Sequence, residues 1–205
     1  MVERNVLIAT KNKGKAKEFE RMFAPYGFQV TTLLDIENAI DIEETGTSFV
    51  ENALLKAETA AKEYQTMVIA DDSGLAVDAL NGEPGVYSAR YAGSEKSDEA
   101  NIEKVLEQLE GMNKEKRTAH FCCTLAVAAP GKQSVTVEGK CEGIITEEKR
   151  GENGFGYDPI FFVPSLGKTM AEMSPLEKNQ ISHRGNALKK LESILPTIIN
   201  EANTR

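Results

Sequence analysis

Blocks of apolar residues alternate with polar ones along the chain, and their spacing predicts strands and helices in succession. Continuous apolar runs predict strands at residues 6–9 and 28–34. Between these two runs apolar residues recur at i, i+3 and i+4 positions, which is typical of a helix. Ser48 and Glu51 form a capping-box pattern and predict a second helix that continues through about Lys62.

The remainder of the chain continues this alternation until a long hairpin interrupts it. An apolar run at residues 67–70 predicts a strand that resumes at 75–80, after a break at Gly74. This order of elements predicts an α/β fold with a mixed β-sheet flanked by helices. The other predicted elements are a loop at 81–93, a helix capped by Ser97, a hairpin of 119–129 and 134–145, a strand at 160–163 and a helix from about Ser182.

The length and charge of the chain limit the functions that it can have. Its 205 residues show no repeat, low-complexity segment or linker, so we expect a single domain over residues 1–205. The net charge of −8 disfavours a nucleic acid or a membrane as partner, and a polyanionic substrate would need a local concentration of positive charge. No apolar run approaches the roughly 18 residues of a membrane span, and no signal peptide is visible.

The three cysteines, Cys122, Cys123 and Cys141, form no recognisable metal or redox motif. None has the CxxC spacing of a zinc site, and the adjacent Cys122 and Cys123 would point to opposite faces of a strand. We interpret all three as reduced core thiols in a cytoplasmic protein.

Two adjacent carboxylates, Asp71 and Asp72, end the apolar run and are followed by Ser73 and Gly74. Placing two carboxylates at the mouth of a buried strand costs free energy unless positive charge meets them. A divalent cation is the usual partner, and Mg²⁺ is typically held by one or two carboxylates together with substrate phosphates. The pattern therefore predicts phosphate chemistry, with an exposed turn rich in Asp and Gly as the alternative.

Lysines are concentrated near the starts of the first two predicted helices. Lys11, Lys13 and Lys15 surround a strand–turn–helix junction that can bind phosphate through backbone N–H groups, although the GxxxxGK[ST] pattern of a Walker loop is absent. On the second helix Lys56 could reach a phosphate, and the preceding Glu44 could supply a second metal oxygen. A basic surface turn and a solvated acidic loop are the alternatives.

Two further segments carry candidate binding residues. In the Gly-rich stretch 151–159, Phe155 or Tyr157 could stack on a planar base, or both could simply cover the core. Near the last helix Lys178 and Arg184 bring positive charge to a helix start, where the helix dipole prefers anions. A charge in that position suggests an anionic ligand, and a plain basic helix start is the alternative.

Signatures of covalent catalysis are missing from the sequence. There is no GxSxG elbow and no reactive-cysteine pattern, and His120 lies in an apolar run where a core or strand-edge histidine is expected. Attack of a metal-assisted water on a phosphate is therefore favoured over a covalent intermediate.

Together these segments resemble the non-canonical purine nucleoside triphosphate pyrophosphatases, the inosine/xanthosine triphosphatase (Ham1-like) family. Each motif is weak alone, but seven in order, from residue 5 to about 190, are specific. They are Thr10-x-Asn12-x-Gly14-Lys15, Glu44-Thr45-Gly46, Phe49-x-Glu51-Asn52-Ala53-x-x-Lys56-Ala57, Asp71-Asp72-Ser73-Gly74, Pro84-Gly85-x-Tyr87-Ser88-Ala89-Arg90, Gly154-Phe155-Gly156-Tyr157-Asp158-Pro159 and Ser182-His183-Arg184-Gly185.

The resemblance implies an elongated, two-lobed ITPase-like domain with a central cleft that works as a homodimer with Mg²⁺. It implies hydrolysis of ITP, dITP and XTP to the monophosphate and pyrophosphate, which sanitises the nucleotide pool. By motif, Asp72 would be the general base and, with Glu44, a metal ligand. The implied substrate-binding residues are Thr10, Lys11, Asn12, Lys13, Gly14, Lys15, Lys56 and Ser73 for the triphosphate, and Phe155, Gly156, Tyr157, Asp158, Lys178, His183 and Arg184 for base and sugar.

Three other functions stay open on the sequence. A related pyrophosphatase would act on modified pyrimidine or methylated nucleotides. A nucleotide-binding regulator without turnover would keep the lysines and the Phe155 loop but would not need Asp72. An RNA-binding module is the third, and the negative net charge disfavours it.

Overall fold

The computed structural model describes residues 4–203, with side chains described for residues 5–194. Helices and strands follow each other in the predicted order. The strands are β1 (Arg4–Ile8), β2 (Phe28–Thr32), β3 (Val68–Val77), β4 (Thr118–Ala128), β5 (Val135–Ile145), β6 (Phe161–Val163) and β7 (Lys168–Thr169), and the helices are α1 (Lys13–Phe23), α2 (Phe49–Tyr64), α3 (Asp98–Gln108), α4 (Pro175–Ile181) and α5 (His183–Asn203).

The strands form one seven-stranded sheet in the order β2-β1-β3-β4-β5-β6-β7. β1 runs parallel to both β2 and β3, whereas β6 runs antiparallel to β5 and β7. Parallel and antiparallel pairs therefore occur together, and the predicted α/β fold with a mixed sheet is confirmed. The two-lobed arrangement with a cleft stays a prediction.

Three elements, β3, β7 and α4, differ from the sequence prediction. β3 continues without interruption through Gly74, so the expected break and the exposed-turn interpretation of residues 71–74 are both wrong. The short elements β7 and α4 were not predicted, because two and seven residues are too few to show a period. α1 begins at Lys13, since the side chain of Asn12 caps it by accepting from the backbone N–H of Lys15 at 3.0 Å.

The chain divides into two compact units, each with its own core. Unit 1 comprises residues 1–72, 123–139 and 187–205, and unit 2 comprises residues 73–122 and 140–186. β3, β4 and β5 contribute to both, so neither unit is a continuous stretch of chain. The single domain over residues 1–205 therefore stays a prediction.

In unit 1 the alternation of side chains along β3 separates two apolar layers. Ile69 packs with the buried face of α1 around Phe19 and with apolar residues of α5, in a cluster that also contains Cys123. Val68 and Ala70 point the other way and pack on the alanine face of α2. Small residues on that face of α2 let the helix approach the sheet closely.

Unit 2 is built around α3 and the aromatic residues of β4 and β6. Phe121 and Phe161 meet with ring centres 4.5 Å apart, and the buried residues of α3 pack against them. Cys141 belongs to this core, and burial raises the pKa of its thiol to about 11. That thiol is therefore protonated near neutral pH, and Cys141 lies in the core as predicted. Among the described residues no helix is long and apolar enough to cross a membrane.

Arg117 joins α3 to β5 through three charge-assisted hydrogen bonds. Its guanidinium donates to the carbonyl of Leu109 at 2.7 Å, to that of Ile145 at 2.8 Å and to that of Thr146 at 2.7 Å. The residue is only 3% exposed, so these carbonyls have little access to water. The last turn of α3 and the end of β5 thus depend on one side chain.

We expect Arg117→Met to lower the free energy of unfolding by at least about 2 kcal/mol, because it leaves buried carbonyls without their donor. The matched control is Arg150→Met, since Arg150 is exposed and its nearest carboxylate, Glu148, lies 3.8 Å away. We expect the control to stay within about 0.5 kcal/mol of the unmodified protein. Urea unfolding followed by circular dichroism measures both, and equal losses would contradict the role given to Arg117.

Candidate active site

Asp71 and Asp72 lie inside β3, and the strand sends them to opposite faces of the sheet. Both are buried, with 1% and 6% of their surface exposed. Asp71 lies on the same face as Ile69 and meets α1, whereas Asp72 lies on the same face as Ala70 and meets α2. The two adjacent carboxylates therefore have different surroundings and different partners.

A lysine of α2 joins Asp72 to Glu44. The Lys56 ammonium donates to Asp72 Oδ1 at 3.0 Å and also to Glu44 Oε1. Its side chain is only 10% exposed, and that of Asp72 only 8%. Because two carboxylates reach one ammonium nitrogen, both lie within reach of a single cation.

Burial and charge act against each other in this cluster. Burial lowers the pKa of Lys56, but the carboxylates of Asp72 and Glu44 together outweigh it and leave that pKa above its ordinary value. Burial is also the largest influence on Asp72 and raises its pKa, although Lys56 and Lys15 oppose the shift. Lys56 therefore stays charged, and the Asp72 carboxylate is more basic than an exposed aspartate.

Asn52 holds the loop that carries Glu44. Its side-chain oxygen accepts from the backbone N–H of Gly46 at 2.7 Å. A Cβ at Gly46 would lie 2.6 Å from that oxygen, so glycine is needed for the close approach. Asn52 was not predicted as a site residue, although its position one helical turn before Lys56 is the signal that points to it.

One carboxylate oxygen of this cluster has an unsatisfied hydrogen-bonding capacity. Asp72 Oδ2 is buried and has no hydrogen-bond partner among the described residues. No group of three or more His, Cys, Asp or Glu side chains that could hold a metal occurs within residues 4–203. A cation at Asp72 and Glu44 would therefore take its remaining ligands from water and substrate, which suits Mg²⁺.

The junction of β1 and α1, residues 10–15, carries three lysines and brings one of them to β3. The Lys15 ammonium donates to Asp71 Oδ1, while the backbone N–H of Asn12 donates to the Thr10 hydroxyl at 3.1 Å. Lys11 instead pairs with Asp41 at 3.1 Å. The exposed Lys13 and the half-buried Gly14 begin α1, and the roles of all six residues 10–15 in substrate binding stay predictions. We name the set Thr10–Lys15, Glu44, Lys56, Asp71 and Asp72 the carboxylate–lysine cluster.

In unit 2, Asp158 organises a second group of predicted site residues. Its Oδ2 accepts from the backbone N–H of Phe155 at 2.9 Å and from the Lys178 ammonium at 2.6 Å. The same ammonium lies 4.7 Å from the centre of the Phe155 ring, within cation–π range. Asp158 and Lys178 are nearly fully buried, so this carboxylate fixes both the loop and the lysine.

Arg184 and His183, at the start of α5, complete the group. Arg184 is 1% exposed, donates from Nη2 to the Ser73 hydroxyl at 2.9 Å and lies 6.0 Å from the Phe155 ring centre. The buried His183 stacks on Phe121 at 4.7 Å, with the two rings inclined by 16°. We name the set Ser73, Phe155–Asp158, Lys178, His183 and Arg184 the aromatic–basic cluster.

Tyr157 differs from Phe155 in its surroundings. Its side chain is 5% exposed within the core of unit 2, and its hydroxyl donates to the carbonyl of Ser88 at 2.8 Å. Burial raises the pKa of this hydroxyl well above its ordinary value. The tyrosine thus covers the core, whereas the half-buried Phe155 ring is the better candidate for stacking on a base.

Comparisons with known proteins agree on one family. The model of the Ham1 family matches residues 6–194. A dITP/XTP pyrophosphatase of Bacillus licheniformis is 59% identical over 192 residues, which cover 94% of this chain and 98% of that protein. A dITP/XTP pyrophosphatase of Bacillus subtilis is 57% identical over 195 residues, which cover 95% and 98%.

Solved structures show the same similarity. The Ham1 protein of Staphylococcus aureus superposes with a TM-score of 0.83 and is 49% identical, covering 95% of this chain and 99% of that one. A HAM1 protein from Coxiella burnetii superposes with a TM-score of 0.84 and is 43% identical over the same shares. The similarity extends over nearly the whole chain.

We expect Gly154→Ala to destabilise the protein more than Gly156→Ala, by at least about 1 kcal/mol. Both glycines have positive φ, +80° and +59°, so both substitutions carry the backbone strain of a left-handed residue. A Cβ at Gly154 would lie 2.0 Å from Asp158 Oδ2, whereas one at Gly156 would meet nothing within 4 Å. Urea unfolding of the two variants isolates this contact, and equal destabilisation would argue against it.

Proposed function

Because the chain belongs to the Ham1 family, we propose that it is a nucleoside triphosphate pyrophosphatase for non-canonical purines. It hydrolyses ITP, dITP and XTP between the α- and β-phosphates and releases the monophosphate and pyrophosphate. The names of the relatives at 59% and 57% identity support this substrate class. Removing such nucleotides from the pool is the physiological role that follows.

The carboxylate–lysine cluster, with Asp72 and Lys56 buried, is the observation that carries this proposal. It brings Asp72 and Glu44 to one ammonium, and it leaves a buried oxygen of Asp72 without a hydrogen bond among the described residues. A polyanionic substrate with its metal would supply the positive ion that this oxygen lacks. A structural ion pair alone would not leave that oxygen unsatisfied.

Asp72 and Glu44 would hold the Mg²⁺ ion, which when bound neutralises phosphate charge and orients the reacting groups. Asp72 accepts the proton of the attacking water, and the Lys56 ammonium at 3.0 Å holds its carboxylate in place. Lys56 and Lys15 stabilise the negative charge that moves onto the departing pyrophosphate. The backbone N–H groups at the start of α1 add partial positive charge for the same purpose.

The aromatic–basic cluster recognises the nucleoside. Phe155 offers a ring for stacking, and the buried donors Lys178, His183 and Arg184 suit the oxygen at position 6 of hypoxanthine and xanthine. Adenine carries an amino donor at that position, so it could not accept a hydrogen bond from these donors there. A buried donor without an acceptor is costly, and sites of this kind reject the wrong base strongly.

The proposal has four further parts. The metal is Mg²⁺, the protein is a homodimer, its location is cytoplasmic, and residues 1–205 form a single ITPase-like domain. They rest on the family resemblance of the motifs. Neither a nucleic acid nor a membrane is a partner in this proposal, consistent with the net charge of −8.

A substrate panel tests the function directly. With Mg²⁺ present, we expect the purified protein to release pyrophosphate from ITP, dITP and XTP much faster than from ATP and GTP, and to stop in EDTA. Faster hydrolysis of modified pyrimidine triphosphates would point instead to the related pyrophosphatases. ITP that persists through long incubation would favour a binding protein without turnover, and salt-sensitive RNA binding would favour an RNA-binding module.

We expect Asp72→Asn to lower kcat for ITP by at least about 10²-fold, the lower range for losing general acid–base catalysis. The variant should still bind ITP, because asparagine preserves the shape and the lysines remain. Asp78→Asn is the matched control, since that side chain is 59% exposed. Steady-state kinetics on variants with verified folding measure both, and a near-normal kcat in Asp72→Asn would remove Asp72 from the catalytic role.

A further inference from the structure

The mechanism above gives no role to Asp71, although this carboxylate is more deeply buried than the general base beside it. Its side chain has no exposed surface, and it lies on the opposite face of β3 from Asp72. Burying a carboxylate is costly unless both of its oxygens are satisfied. The identity of its partners therefore indicates what the residue does.

Two elements of unit 1 supply those partners. Lys15, in the first turn of α1, donates its ammonium to Asp71 Oδ1. Cys123, on β4, donates its thiol to Asp71 Oδ2, with sulfur and oxygen 3.0 Å apart. Both carboxylate oxygens are thus engaged, one by a lysine that is 16% exposed and the other by a fully buried thiol.

The ion pair with Asp71 restricts the Lys15 side chain, which would otherwise be flexible. A free lysine loses much rotamer freedom when it engages a ligand, and that loss weakens binding. Here the backbone of Lys15 is fixed by the Asn12 cap, and its ammonium is fixed by Asp71. The ordering is complete before any phosphate arrives.

We propose that Asp71 and Cys123 form a positioning pair that holds the Lys15 ammonium ready for the triphosphate. This proposal deepens the proposed function and rests on it, because it takes Lys15 as a phosphate ligand. Neither member of the pair touches the substrate. Cys123 acts through Asp71, and Asp71 acts through Lys15.

The proposal also distinguishes Cys123 from an ordinary core thiol. A protonated thiol is a weak donor, but it satisfies Oδ2 of Asp71, whereas the Lys15 ammonium donates to Oδ1. Cys141 is the natural comparison, since it is also buried, at 7% exposure, but its sulfur lies 3.9 Å from the carbonyl of Glu142, the residue that follows it. The two thiols therefore differ chiefly in the group that each one contacts.

A double-mutant cycle tests the connection between Asp71 and Lys15. We expect Asp71→Asn to raise KM for ITP, and the inhibition constant of inorganic pyrophosphate, about tenfold with little change in kcat. In a Lys15→Met background the same substitution should change both constants by less than about twofold, because the group it positions is gone. Equal effects in both backgrounds, or a fall in kcat instead, would overturn the proposal.

The cysteine provides a second test that holds even if Asp71→Asn fails to fold. Cys123→Ala should raise KM about threefold, and Cys123→Ser should restore it, because a hydroxyl replaces the lost donor. Cys141→Ala and Cys141→Ser are the matched controls and should alter thermal stability without altering KM. If the alanine and serine variants at position 123 have the same KM, the thiol has no positioning role.

An assay of the unmodified protein distinguishes failure of the proposed function from failure of the positioning role. If it releases no pyrophosphate from ITP, the proposed function fails and the positioning role fails with it. If it is active but the effects of Asp71→Asn and Lys15→Met simply multiply, the positioning role alone is refuted.

Discussion

The rest of the candidate site depends on the burial of two neighbouring carboxylates in the interior of a β-strand. Removing one partner of a buried ion pair costs about 3–5 kcal/mol in typical cases, so each aspartate requires its own cation. Lys15 meets Asp71 from α1, and Lys56 meets Asp72 from α2. The positions of both helices relative to β3 are therefore constrained by charge as well as by apolar packing.

In unit 2 the buried charges are positive, and each of them likewise requires a partner. Arg184 and Lys178 are cations with almost no exposed surface, and the described contacts satisfy them with a hydroxyl, a carboxylate and an aromatic ring. Such an arrangement is costly for a protein that needs only stability. This cost is consistent with the nucleoside-binding role that we propose for the aromatic–basic cluster.

The sequence was sufficient to predict the α/β class, the mixed sheet, most elements and the family. The spacing of apolar residues and the order of the motifs can both be read directly from the sequence. It was less informative where the outcome depends on what lies across the fold. The strand through Gly74 was missed because glycine is a local break signal, yet β3 lies between β1 and β4 in the sheet and continues through this residue. Tyr157 and Phe155 look alike in sequence, and only the packing of unit 2 shows that one belongs to the core. Similarly, no local pattern connects Cys123 to Asp71, which lie 52 residues apart in the chain.

The alternation of side chains along β3 has a consequence for how this protein can change over evolution. A single-residue insertion or deletion in the strand before Asp71 would exchange the faces of the two carboxylates, and it would place each beside the wrong helix. Substitutions at apolar positions of β3 are tolerable so long as volume is kept, but changes of its length are not. The exposed turn at residues 130–133, which joins β4 to β5, has no such constraint and can vary in length. Length variation among descendants of this sequence should therefore accumulate in that turn and be excluded from β3.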